Sequence, residues 1–237
     1  RHYLLMFGIL GALILRGLAP EMYEQRQDRP WKRWWGRAFV AGSVSAPFLL
    51  GAFVGNWVAG RHHSLTLVGV AVGLTVVALT LVSGTAFVGL KARSRLRERM
   101  CPYGERAVIA YLSAVVVTLG TLATTTPGLG GRILSTPVVA VVGLSVLLAG
   151  GYALALRRGR YLPALAASAG LAYGLVTVVA LLLYPSVDPA ANLSVHDAII
   201  STLPLNLMSI AATLLLPLVV TYFVVLYSAF SGPATPT

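Results

Sequence analysis

An all-α, polytopic membrane protein is the fold class this sequence predicts, and three observations predict it. The 237 residues are 57% hydrophobic and only 11% charged, with a mean hydropathy of +0.81; a soluble domain carries roughly a quarter charged residues. The apolar residues gather into about seven runs near the 20 residues that a helix needs to cross a bilayer. Lysine and arginine collect in every second connection between those runs, the pattern of cytoplasmic loops. The expectation is a single integral membrane domain over residues 1–237, with about seven transmembrane helices in packed bundles.

The first run, 3–19, is followed by a connection with Arg26, Arg29, Lys32, Arg33 and Arg37. The second, 39–60, has Trp31, Trp34 and Trp35 just ahead of it, where an aromatic belt would anchor it at the interface. A short connection with Arg61 leads to the third run, 65–90. Lys91, Arg93, Arg95, Arg97, Arg99 and Arg106 precede the fourth, 107–125. The turn signal Thr126-Pro127-Gly128-Leu129-Gly130-Gly131, with Arg132 after it, separates that run from the fifth, 137–156. Arg157, Arg158 and Arg160 then lead into the sixth, 162–184, while 185–204 carries no Lys or Arg before the seventh, 205–230. The alternation runs the first helix from outside to inside and leaves the C-terminus cytoplasmic. Runs of this length suit helices and exceed barrel strands. Glycine pairs spaced four apart, Gly51 with Gly55, Gly69 with Gly73 and Gly170 with Gly174, allow neighbouring helices to approach closely.

The net charge of +11 does not indicate nucleic acid, because the cations sit at the ends of apolar runs and not on one face of a soluble domain. A single cysteine, Cys101, excludes an internal disulfide and a multi-cysteine metal site. The chain starts at Arg1 with apolar sequence almost at once and no signal peptide, and is read as a fragment of a longer protein.

Chemistry in a membrane bundle needs polar groups at depth. His2, His62, His63 and His196 all fall at run ends or in outer connections. Met6 and Met208 lie within runs without a histidine nearby, and are read as core filling. The chain is therefore expected to ligate no haem and no metal. Phosphate-binding, nucleophile-elbow and zinc-protease motifs are missing. The acids Glu21, Glu24, Asp28, Glu98, Glu105, Asp188 and Asp197 stand in or beside connections, whereas a proton-driven pump usually buries an acid or histidine.

The polar minority near depth is Arg16, Glu21, Asn56 and Asn206. Arg16, close to the inner end of the first run, either snorkels to headgroups or is held by Glu21 or a partner chain. Asn56, near the outer end of the second run, suits an interhelical hydrogen bond, with a substrate contact as the alternative. Arg16, Glu21 and Asn56 are the candidate structural or subunit-contact residues; no catalytic residue is assigned.

Three blocks of the sequence resemble subunit II of the cytochrome bd quinol oxidases. They are Ile14-Leu15-Arg16 with Glu21 and the tryptophan-containing basic loop; Pro47 to Gly60 with Gly55-Asn56, followed by Gly89-Leu90-Lys91; and the closing Pro217, Tyr222, Tyr227 and Phe230. Family members usually have nine helices, so the chain is expected to begin at the third. A tryptophan, aspartate and asparagine cluster between the family's first two helices has no equivalent here, nor does its basic C-terminal tail.

The resemblance implies a prokaryotic cytoplasmic-membrane subunit without haem. It would stabilise subunit I, which carries haems b and d and the quinol site, and could hold a structural quinone or lipid and line a proton or oxygen path. The contrasting expectation is a small secondary transporter or permease, which should show broken helices or a buried ionisable group near the midplane. A structural scaffold in another membrane complex is a third.

Overall fold

The computed structural model describes residues 3–61, 65–92, 95–189, 191, 193–196 and 202–229. His2, His62, His63, Asp197 and Phe230 lie outside them. The chain is helical, as the composition predicts: α1 Tyr3–Gln25, α2 Arg29–Val58, α3 Leu67–Lys91, α4 Arg95–Thr125, α5 Leu129–Ile133, α6 Thr136–Arg157, α7 Tyr161–Leu183 and α8 Thr202–Ala229. Seven of these, all but the five-residue α5, are long and apolar enough to cross a membrane. The only strands among the described residues, β1 Ser186–Asp188 and β2 Leu193–Ser194, pair antiparallel in the connection before α8.

Several helices outrun their apolar stretches. α2 begins at Arg29, so Trp31, Trp34 and Trp35 lie inside its first two turns and not ahead of it. α4 begins at Arg95, twelve residues before its apolar run, because a helix satisfies its own backbone bonds in water as readily as in lipid. Pro47 of α2 and Pro217 of α8 lie inside their helices, whereas Pro137 and Pro163 stand in the first turns of α6 and α7.

Packing divides the molecule. α3, α4, α6 and α7 form a four-helix bundle, with α2 against α3 and α1 against α2. Val82, Ala86, Tyr111, Tyr152, Leu156 and Leu171 fill the basic end of the bundle, and Val58, Val68, Leu122, Val138 and Leu182 the other. The glycine pairs account for the closest approaches. A Cβ on Gly51 would lie 2.8 Å from Gly73 Cα, and one on Gly55 would lie 3.1 Å from Gly69 Cα. The two motifs of α2 and α3 therefore face each other, backbone to backbone. Gly170 and Gly174 of α7 instead make room for side chains of α6, Leu148 and Ser145. By contrast, no residue of the α8 span is buried, and α8 packs substantially on no other element.

Candidate functional site

Three places bring polar residues or open space together inside or beside the bundle. The first is an arginine groove. Arg16 sits on α1 where its backbone rests on Gly42 of α2, since a Cβ there would come within 2.9 Å of Arg16 N. Its side chain lines a groove with Ile9 and Leu13 of α1, Ser43, Pro47 and Leu50 of α2, and Thr80 of α3. No ion pair or hydrogen bond engages Arg16 among the described residues, and Ser43 Oγ, buried in the same groove, has no hydrogen-bond partner. Thr80 uses its hydroxyl on the Val77 carbonyl. The groove thus offers hydroxyl oxygens to the guanidinium but no carboxylate.

Glu21 does not pair with Arg16. α1 runs unbroken through Pro20, so Glu21 follows Arg16 by five helical residues and points about 140° around the axis from it. The described ion pairs are Arg26 with Asp28 at 3.8 Å and Arg157 with Glu105 at 2.5 Å.

Asn56 belongs to a different place, the seam of α2 and α3 at the end of the bundle away from its basic cluster. It is fully buried, and its Oδ1 accepts a bond from the Thr66 hydroxyl, which also caps α3 by accepting from Gly69 N at 3.0 Å. Gly69 is required here, because a Cβ on it would stand 2.5 Å from Asn56 Oδ1. The seam continues through two lone arginines. Arg61 donates to the Thr125 carbonyl at 2.9 Å, and Arg132 to the Leu182 carbonyl at 3.1 Å. Trp57 donates to the Val187 carbonyl at 2.9 Å, tying α2 to β1.

The third place is a cavity of about 150 Å³ inside the bundle, bounded by α2, α3, α4, α6 and α7. Valines and leucines form most of its wall. Of its polar neighbours, Thr75 and Thr118 bond each other at 2.9 Å, and Ser145 bonds the Val141 carbonyl. Tyr111 also lines it, 1% exposed, and its hydroxyl makes no hydrogen bond among the described residues. The wall reaches the lipid-facing surface at Val116 and Val146, where α4 and α6 pack more sparsely than the other neighbours of the bundle.

The cavity wall has no His, Met or Cys, and among the described residues no three His, Cys, Asp or Glu side chains gather in one spot. Met6 and Met208 are exposed on α1 and α8 and not in the core, contrary to the expectation from sequence. His196 and Asn206 are exposed as well.

Sequence reasoning missed Tyr111, Tyr152 and Tyr161. Tyr152 donates to the Val82 carbonyl at 2.8 Å and meets Thr85 Oγ1 at 2.8 Å. Tyr161 donates to the Arg97 carbonyl at 2.8 Å under the Arg97 guanidinium, and lies so close to Gly89 that no side chain fits there. The available signal was three tyrosines in or at the ends of otherwise aliphatic runs, each with a hydroxyl that needs a partner when buried.

Comparison with known proteins agrees with the pattern of helices. A family model described as cytochrome bd terminal oxidase subunit II matches residues 1–230, nearly the whole chain. A search of the curated proteins gives no match.

Proposed function

Since the chain belongs to the cytochrome bd terminal oxidase subunit II family, we propose that it is the haem-free, non-catalytic membrane partner in a quinol:oxygen oxidoreductase. Haems b and d and the oxidation of quinol then belong to subunit I, and no electron-transfer step is routed through this chain. Its work is to hold subunit I in place at the cytoplasmic membrane, with its own C-terminus on the cytoplasmic side.

The observation that carries this reading is the groove of Arg16. A guanidinium and a buried hydroxyl stand together at membrane depth, and neither makes a hydrogen bond or ion pair among the described residues. Unmet donors in lipid are costly, and a carboxylate or carbonyl on a neighbouring subunit would satisfy both. Glu21, turned to another side of α1, is free to serve a second contact.

The cavity supports an apolar guest. An apolar cavity of about 150 Å³ is large enough for a benzene ring, and the Tyr111 hydroxyl offers one donor for a ring carbonyl. A bound quinone would place its ring there, with its tail leaving between Val116 and Val146; a lipid chain would use the same window without Tyr111. The wall suits the passage of oxygen better than that of protons, because Tyr111 is its only titratable side chain.

The test is to purify the chain gently from its native membrane, as wild type and as Arg16→Leu, and to record reduced-minus-oxidised spectra. The wild type should bring down a haem-bearing subunit with quinol oxidase activity, and the variant about tenfold less of it. A colourless, self-sufficient oligomer from wild type would favour a small transporter and overturn the reading. Full recovery from the variant would remove Arg16 from the interface and leave snorkelling as its role.

A further inference from the structure

The inner ends of the bundle and of the α1–α2 pair are both rich in cations, but they use them differently. In the bundle the protein itself engages them: Arg97 donates to the Gly159 carbonyl at 3.1 Å and covers the Tyr161 ring, and Arg157 pairs with Glu105. On α2, Lys32, Arg33 and Arg37 line one open groove beside Tyr23 of α1. Lys32 bonds Gln27 and stands over the Tyr23 ring, while Arg33 and Arg37 have no ion pair or hydrogen bond among the described residues. Glu21, Glu24 and Asp28 are the acids of this region. Asp28 is paired with Arg26, and neither glutamate pairs with the groove.

The groove does not end at the cations. Its floor continues along α2 over Val40, Ala41 and Val44, and Val44 also lines the groove of Arg16. Arg33, Arg37, Val40 and Val44 follow one another at steps of three and four residues, so they share a face of the helix. Positive charge therefore sits at the interfacial end of the groove, next to the tryptophans, and an apolar channel leads from it toward the membrane interior. Gly36 widens the channel, with only the Tyr23 ring edge within 4.0 Å of where a side chain would begin.

We infer that this groove is a binding site for an anionic phospholipid, with its phosphate at Lys32, Arg33 and Arg37 and an acyl chain along Val40, Ala41 and Val44. The charge selects the headgroup, since basic pockets between membrane helices bind anionic headgroups. The depth selects a lipid over a soluble anion, because only a lipid fills the cations and the apolar floor together. The site does not depend on the role proposed for Arg16.

Native mass spectrometry of the purified complex tests this, titrating in phosphatidylglycerol or phosphatidylcholine of matched chains. The wild type should retain phosphatidylglycerol more than tenfold better. Removing one cation should weaken that preference roughly fivefold, and Lys32→Gln/Arg33→Gln/Arg37→Gln should abolish it. Arg37→Lys should keep it, as should Arg158→Gln/Arg160→Gln at the other basic end, which together separate loss of the site from loss of the fold. Equal retention of the two lipids by wild type would overturn the proposal, and so would a preference unchanged in the triple variant. Displacement of the lipid by millimolar inorganic phosphate would also overturn it, as the mark of a simple anion site. So would exclusion of phosphatidylglycerol by a partner subunit seated on the groove.

Discussion

α3, at the centre of the bundle, and α8, outside it, are built from equally apolar sequence, yet they differ in what they bury. Half of the most apolar stretch of α3 is buried within the protein, against none for α8. Lipid covers an apolar face as well as protein does, so hydropathy cannot separate the two kinds of helix. What separates them is small residues and matched polar groups. α3 has Gly69 and Gly73 against α2, Gly89 against Tyr161, and Thr75, Val82 and Thr85 bonded to neighbours on other helices. α8 has no glycine, and its Ser209, Thr213 and Thr221 hydroxyls donate back to its own Leu205, Ser209 and Pro217 carbonyls. A helix whose hydroxyls close on its own turn is ready for lipid or a second subunit, whereas one whose hydroxyls reach across is committed to its bundle.

The largest effect should come from filling the closest approach. Gly51→Val places atoms where Gly73 Cα and the Val72 carbonyl already stand within 2.9 Å. The helices must separate, at a cost of about 3 kcal/mol or more. Gly150→Val, on a helix face with nothing within 4 Å, should stay within about 0.5 kcal/mol of wild type. Thermal unfolding in detergent, followed by fluorescence-detected size exclusion, reads both. Equal stability of the two variants would break the claim that glycine contacts, and not hydropathy, organise the bundle.

Much of this was legible from the sequence for a physical reason. Spans and their order follow from the cost of polar backbone in lipid, which acts on every segment alike. The glycine spacings announced close approach correctly, because a missing side chain has the same consequence in any context. Two things were not legible. The charges of 95–106 suggested a loop, yet they lie on a helix that has left the membrane. The Arg16–Glu21 pair looked plausible across a helix end at Pro20, but α1 continues through that proline and turns the two side chains apart. Helix continuation past an apolar run is decided by tertiary contacts, such as those of Arg97 and Glu105 with the α6–α7 turn, and the local sequence does not contain them. The open groove of Arg16 and the cavity at Tyr111 were hidden for the same reason, each being lined from three or more helices.

A middling effect is expected at Tyr152, which shows what a matched polar group contributes to the committed half. Its hydroxyl bonds the Val82 carbonyl and Thr85 across α3 and α6. Tyr152→Phe keeps the ring and loses both bonds, for about 1 kcal/mol. The penalty stays modest because Thr85 also bonds the Leu81 and Val82 carbonyls of its own helix. A melting shift as large as that of Gly51→Val would mean that hydrogen bonds, not backbone proximity, set the packing.

The smallest effect should lie on α8, where its value is in being small. Leu215 is 57% exposed, and its helix packs substantially on no other element among the described residues. Leu215→Ala in the isolated chain should therefore leave the melting temperature within error, as surface substitutions do, within about 0.5 kcal/mol. The same substitution in the assembled oxidase is the informative measurement. If another subunit covers α8 there, the variant loses packing that the single chain never had, and the complex should come apart at a lower temperature or detergent concentration. A null result in both states would mean that lipid is the neighbour of α8, because replacing one apolar contact with lipid by another changes little. A drop in the isolated chain would place α8 back against its own bundle and remove the contrast between the two halves.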